Sequence, residues 1–235
     1  FIMRKIGIIG GLGPESTILY YKELVDRYKS KSAGQDPVIV IYSISLPEFK
    51  KHMDNQDFGP AIKLLSGAME SLVKAGADFI SMASNTPHLF FDELSQKSAV
   101  PMISIVEETA KAADKISNNR KIGLLGTRFT MKSDFYFKSF KKFGMEIYIP
   151  DENEQDYIHE KIFSELNMGI IAENTKKRIL EIVKSMIEKH SIDSLILGCT
   201  ELPLIFDQSY FGINYLDTVD IHVRSIIDFC FSDKT

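Results

Sequence analysis

Tryptophan is absent from the 235 residues, and cysteine occurs only twice, as Cys199 and Cys230. Two cysteines cannot build the disulfide framework of a small secreted domain, so a reducing cytoplasm is the expected compartment. Nowhere does an apolar run reach the ~18 residues of a membrane-spanning helix, and no secretory signal pattern is visible, so no membrane partner is expected. An excess of positive charge is also lacking. The net charge is −4 and the pI near 5.8. The basic stretches Lys138 to Lys142 and Lys176 to Arg178 read as solvated helix faces, so no nucleic-acid partner is expected. His52, His159, His190 and His222 show no metal-ligand spacing, and no metal site is expected. The chain carries neither a G-x-S-x-G elbow nor the lysine of a P-loop, which argues against a serine hydrolase and a P-loop nucleotide enzyme.

What the chain does have is an ordinary globular balance, 44% hydrophobic and 26% charged residues, and length for one large domain or two lobes of roughly 100 residues each. Runs rich in Ile and Val alternate with longer segments of helical periodicity, the pattern of parallel strands joined by crossover helices. Strands are predicted near 5–10, 38–43, 78–83, 101–104, 121–125, 145–149 and 194–198. Helices are predicted over 14–30, 58–75, 88–96, 106–116, 131–143, 155–167, 172–190 and 218–231. Pro14 suits a first helical turn, and Gly76 and Gly144 sit where C-terminal caps belong. The fold class is therefore α/β.

Two stretches look alike about half a chain apart. Lys5-Ile-Gly-Ile-Ile-Gly10 corresponds to Lys121-Ile-Gly-Leu-Leu-Gly126, and the apolar strand ending at Ser84-Asn85-Thr86 to the one ending at Cys199-Thr200-Glu201. The offsets, 116 and 115 residues, agree, which points to a duplicated unit. The expectation is two pseudo-symmetric, doubly wound lobes, each a mostly parallel sheet flanked by helices, with the active site in the interlobe cleft. The boundaries expected are 1–105 plus 213–235 for one lobe and 106–212 for the other. Ligands collect at the carboxyl ends of such strands, where all the motifs fall.

Each motif has a bland and a chemical reading. Gly10-Gly11-Leu12-Gly13-Pro14 follows a strand and opens a helix; it fits a tight turn or a small-carboxylate site better than a dinucleotide fingerprint, because Ser16 replaces the third glycine. Cys199 is either an inert buried thiol or, next to hydroxyl and N–H donors, a thiol whose pKa is lowered toward neutrality. Asn85 and Thr86 can donate to a carboxylate, and Ser84 can donate a proton. His88 reads as a helix-start residue rather than a base for Ser84, and Cys230 as structural.

Together these motifs resemble the aspartate/glutamate racemase superfamily over essentially the whole chain. Gly10-Gly-Leu-Gly-Pro14 is similar to the first-strand loop of its aspartate racemase branch, Asn85-Thr86-x-His88 to its Cys-Asn-Thr-x-His motif, Gly126-Thr127-x-x-Thr130 to its central loop, and Gly198-Cys199-Thr200-Glu201-Leu-Pro203 to its second cysteine motif. The resemblance implies a two-base mechanism without pyridoxal phosphate, metal or any other cofactor. One thiolate removes the α-proton of an amino acid, and a thiol on the opposite face returns one. It implies Cys199 and Ser84 as the catalytic pair, and Gly11, Gly13, Asn85, Thr86, Thr127, Thr130, Thr200 and Glu201 as substrate-binding residues. It further implies an amino-acid or dicarboxylate ligand and a homodimer.

Three positions depart from that pattern. Ser84 stands where the first catalytic cysteine belongs. Phe49 replaces an arginine that grips an acidic side chain, with Lys50, Lys51 or His52 as the substitutes expected here and Lys51 taken as the binding residue. Phe163 and Asn167 replace a tyrosine and a lysine. The expected activity is racemisation of aspartate or glutamate, faster from the L-enantiomer, with Cys199 as principal base. A single-thiol decarboxylase or isomerase of the same superfamily and a non-catalytic carboxylate-binding relative are the alternatives.

Overall fold

The computed structural model describes residues 4–118, 120–206 and 209–232. Strands are β1 (Ile6–Gly10), β2 (Ile39–Ser43), β3 (Phe79–Met82), β4 (Met102–Ile103), β5 (Lys121–Gly126), β6 (Glu146–Tyr148), β7 (Ser194–Gly198) and β8 (Asn214–Asp217). Helices are α1 (Pro14–Lys31), α2 (Leu46–Asp54), α3 (Phe58–Lys74), α4 (Phe91–Lys97), α5 (Ile105–Ile116), α6 (Arg128–Lys132), α7 (Phe135–Lys141), α8 (Glu152–Ser164), α9 (Glu173–His190) and α10 (Thr218–Phe231). Short 3₁₀ turns occupy Thr86–Phe90, Leu166–Met168 and Leu202–Leu204.

The chain forms two compact units, one of residues 1–105 with 222–235 and one of 106–221. Each contains a four-stranded parallel sheet, in the order β2-β1-β3-β4 in the first and β6-β5-β7-β8 in the second. The order is the same with each strand shifted by four, so β1 corresponds to β5 and β3 to β7. The inner strands β1, β3 and β7 are buried at every residue, which explains why they read as unbroken apolar runs rather than as alternating ones. Helices pack on them through one stripe, such as Ser16, Tyr20, Leu24 and Tyr28 of α1, spaced every fourth residue.

Several expectations change on the structure. The return to the first unit falls after residue 221 rather than after 212, because residues 214–217 form β8 and pair in parallel with β7. Helix α2 was absent from the predicted set. It starts at Ser45, whose hydroxyl accepts from the Glu48 amide at 3.4 Å, a Ser-x-x-Glu signal present in the sequence. The single helix predicted over 131–143 is two, α6 and α7, with Ser133 in an extended conformation between them (ψ 153°). Helix α8 begins three residues before the predicted start, where Asp151 and Glu154 close a reciprocal capping box.

Candidate active site

In the first unit the chemistry gathers at the carboxyl ends of β1 and β3. Gly11 turns with φ +84°, and a Cβ there would lie 2.2 Å from the Ile44 carbonyl oxygen. Only glycine fits, because the loop is pressed against the chain leaving β2. The Gly11 amide donates to the Thr17 hydroxyl at 2.8 Å, so this donor is used within the loop. Gly13 precedes Pro14 at the start of α1 without a side-chain cap. The Ser16 hydroxyl donates to the Ala83 carbonyl at 2.7 Å and ties α1 to the end of β3. Ser84 is half-buried, Asn85 buried and Thr86 half-buried at that strand end.

Behind this loop lies a buried histidine pair. The His88 Nδ1–H donates to the Ser84 carbonyl at 2.9 Å, while its Nε2 accepts from the Ile105 amide at 3.2 Å. Both ring nitrogens are therefore engaged, and the tautomer is fixed with the proton on Nδ1. Burial first, and then neighbouring His222, push the His88 pKa down to about 3. His222, its ring 6.1 Å away, bonds the Tyr20 hydroxyl at 2.8 Å and the Ile103 carbonyl at 3.0 Å. His88 thus supports the loop from behind.

In the second unit the corresponding strand ends are those of β5 and β7. Gly126 pairs with Gly198 in register, and a Cβ on Gly126 would stand 3.0 Å from the Gly198 carbonyl oxygen. Two side-chain-free residues let the strand ends close up beside Thr130. The Thr127 hydroxyl caps α6 by accepting from the Thr130 amide at 3.3 Å and lies 3.1 Å from the Thr130 hydroxyl. The Thr218 hydroxyl, unmarked in the sequence reading, donates to the Leu197 carbonyl at 2.9 Å and fastens the last turn of β7. Cys199, Thr200 and Glu201 follow, all half-buried.

The Cys199 thiol donates to the Glu201 carboxylate, Sγ to Oε2 2.8 Å. Of the two readings that the sequence allowed, a suppressed or an activated thiol, this contact favours the suppressed one. Burial, and next the Glu201 charge, hold the thiol pKa well above the ordinary value. The reason is one of sign: a thiolate beside a carboxylate is a pair of like charges, and backbone donors at Thr200 and Glu201 offset this only in part. In the resting site Cys199 is a neutral thiol, and Glu201 is its proton acceptor.

The structure brings Cys199, Thr200, Glu201, Thr127 and Thr130 together in one unit, and Gly11, Gly13, Ser84, Asn85 and Thr86 in the other. Lys51 stands on the exposed side of α2, and Phe49 on the same helix is a core residue, 3% exposed. Phe163 packs edge to face against His159, ring centroids 5.0 Å apart. Cys230 is buried on α10. Among the described residues no group of three or more His, Cys, Asp or Glu could hold a metal ion, and no helix is long and apolar enough to cross a membrane.

A family profile described as Asp/Glu/hydantoin racemase matches residues 9–226. The chain is 31% identical over 229 residues to the broad specificity amino-acid racemase RacX of Bacillus subtilis, covering 94% of this chain and 96% of that protein. Among solved structures it is similar to an aspartate racemase homologue from Pyrococcus horikoshii, with a TM-score of 0.83 and 37% identity over 98% of this chain and all of that one. A candidate Asp/Glu racemase from Yersinia pestis superposes with a TM-score of 0.90 at 32% identity, again over 98% of this chain and 100% of that one.

Proposed function

The chain belongs to the Asp/Glu/hydantoin racemase family, whose named racemases are isomerases, and from that premise we propose that it inverts amino-acid α-carbons without a cofactor, with Cys199 as principal proton-transfer group. The observation that carries the reading is the 2.8 Å contact between the Cys199 thiol and the Glu201 carboxylate. A neutral thiol is no base, so its proton must first leave, and Glu201 is the group placed to take it. That transfer trades a carboxylate for a thiolate whose pKa lies well above the ordinary thiol value, and it is unfavourable until a cation reaches the sulfur. An amino acid carries that cation on its α-nitrogen, whereas a simple dicarboxylate does not. Binding of the zwitterion therefore lowers the cost of the thiolate, and this favours an amino acid over a malonate-type ligand.

The reaction then proceeds by two proton transfers. The Cys199 sulfur takes the α-proton, and the electron pair left on carbon is drawn toward the substrate carboxylate, held by hydroxyl and amide donors from Asn85, Thr86, Thr127, Thr130 and Thr200. A proton returns to the other face from the Ser84 hydroxyl or a water bound to it, the oxygen anion so formed takes a proton back from solvent while Glu201 releases its own to solvent, and the inverted amino acid leaves. Gly11 and Gly13 shape the loop beside Ser84. A hydroxyl is a much weaker acid than a thiol, so the two directions are unequal. Cys199 works on the L-enantiomer, which reacts faster. Phe49, in the core, offers no grip on an acidic side chain, and the exposed Lys51 is a looser one than a buried arginine. The substrate range consequently extends from aspartate and glutamate to neutral amino acids, in keeping with the similarity to a broad specificity racemase.

Proton NMR in D2O tests this directly, with L- and D-forms of aspartate, glutamate and several neutral amino acids. The α-proton signal of at least one L-amino acid should disappear with wild type and persist with Cys199→Ala. Loss that is indifferent to Cys199, or no loss from any amino acid, overturns the proposal.

A further inference from the structure

In the second unit α8 packs beside β5 and α6. His159 stands on this helix three residues after Asp156 and four before Phe163, so the three side chains share one helical face. That face meets the turn that follows β5. The Arg128 backbone amide donates to His159 Nδ1 at 3.2 Å, the Arg128 Nε donates to the Asp156 carboxylate at 2.8 Å, and Phe163 packs edge to face on the imidazole. The amide held by His159 is the nitrogen half of the peptide whose carbonyl half is Thr127. Within the turn that Thr127 carbonyl accepts from the Met131 amide at 3.0 Å, and the Thr127 hydroxyl accepts from the Thr130 amide.

The two polar contacts differ in kind. The side chains of Arg128 and Asp156 are 45% and 49% exposed, and such a surface pair contributes little and is screened by salt. The bond to His159 fixes the main chain itself, and it is conditional. Nδ1 accepts only while it keeps its lone pair; once protonated it becomes a second donor and faces the Arg128 amide N–H to N–H. His88 accepts the Ile105 amide in the first unit in the same way, but it is sealed in the core, with its pKa held down to about 3. His159 is only half-buried, and histidine is the side chain whose charge ordinarily changes between roughly pH 5 and 8. Its charged neighbours are Asp156 on its own face and Arg128 on α6. Lys132 with Glu152 and Arg178 with Glu154 tie the start of α8 to α6 and α9, and Lys161 pairs with Glu160 and Glu165 toward its end.

We infer that His159 is a positioning residue for the turn Gly126-Thr127-Arg128, and that it holds this turn only as the neutral imidazole, so that the site binds an amino-acid carboxylate firmly at neutral pH and loosely in mild acid. When His159 is charged, one of the two opposed N–H groups must turn away. Thr127 shares a peptide with the Arg128 amide and moves with it, and its hydroxyl, 3.1 Å from that of Thr130, leaves its place. The consequence for substrate rests on the racemase reading, in which Thr127 and Thr130 are carboxylate donors. The brace on the turn does not depend on that reading.

Two measurements test this, beside His159→Asn, whose Oδ1 can stand in for Nδ1 as the acceptor and cannot be protonated. In NMR of the wild type the Arg128 amide proton and the His159 ring protons should titrate with one midpoint, and in the variant the Arg128 amide should not move over the same range. In α-proton exchange of L-aspartate, L-glutamate and neutral L-amino acids, the KM of the fastest should rise about three- to tenfold as the pH falls through that midpoint, as befits the loss of one hydrogen bond. With His159→Asn it should change less than about twofold. A histidine that only supported folding would cost active protein in acid, and so rate, while KM stayed the same. An Arg128 amide indifferent to the His159 titration overturns the brace, and that reading needs no variant to fold. An equal rise of KM in wild type and variant overturns the role in substrate binding. No exchange from any amino acid overturns the racemase reading instead, and the NMR titration still decides the brace.

Discussion

The buried histidine behind the Ser84 loop makes the protein acid-labile by an amount that can be worked out. Free histidine titrates at 6.5, and folded His88 at about 3. The folded pKa is the lower one, so as the pH falls the unfolded chain takes up the proton first. Stability is fully present above pH 6.5 and declines as the pH drops toward 3. Linkage gives a loss of about 2 kcal/mol at pH 5, about 3 kcal/mol at pH 4 and about 5 kcal/mol once both states are protonated. Protonation also removes the Nε2 lone pair that accepts from the Ile105 amide, so that bond is lost in the charged form.

Urea denaturation of wild type and His88→Gln at pH 7, 6 and 5 isolates this contribution from other titrating groups. Glutamine can still donate to the Ser84 carbonyl and accept from the Ile105 amide, but it cannot be protonated. The variant should be the less stable protein at pH 7, yet its stability should fall by about 2 kcal/mol less than that of wild type between pH 7 and pH 5. Should the variant not fold, NMR of the wild-type His88 ring protons gives the same answer, with no titration shift above pH 5. Parallel stability curves, or a ring that titrates near 6.5, refute the reasoning.

Other consequences are as direct. Glu201→Gln removes the charge that raises the Cys199 pKa while leaving burial in place, so the midpoint of thiol alkylation by iodoacetamide against pH should move down; an unmoved midpoint rules out the carboxylate as a cause. Ser84→Cys supplies the stronger acid on the second face and should raise the slower direction of α-proton exchange by at least tenfold, measured in D2O from each enantiomer. Gly11→Ala forces a Cβ to within 2.2 Å of the Ile44 carbonyl oxygen at φ +84°, and thermal melting should show a loss of about 1–3 kcal/mol, whereas an unchanged Tm would mean that the loop is free to move.

What the sequence made legible was whatever long buried runs encode. Strands β1, β3, β5 and β7 are apolar at most positions, and the glycines that end β1, β5 and β7 stand where neighbouring atoms leave no room for a Cβ. Strand β8 escaped because four residues, Asn-Tyr-Leu-Asp, present one buried side chain, Leu216, and signal strand only once β7 is beside them. Helix α2 escaped for a different reason. Its apolar content is small, with Phe49 and Met53 buried, although its Ser45-x-x-Glu48 cap was in plain view.

The site was legible in composition and not in sign. A thiol after an apolar strand, beside hydroxyls, reads equally as an activated or a suppressed cysteine, since a spacing of two residues in a turn does not say whether a carboxylate points toward the sulfur or away. The 2.8 Å contact decides that it points toward it. His88 shows the same limit from the other side. Its place four residues after Ser84 allows either a base aimed at the hydroxyl or a brace on the backbone, and the bonds to the Ser84 carbonyl and the Ile105 amide choose the brace. Both decisions have one consequence for catalysis. On the proposed function, Ser84 in the first unit would be a weak proton donor and Cys199 in the second a thiol with a carboxylate at its sulfur, and activation of that thiol would draw on the charge that the substrate brings.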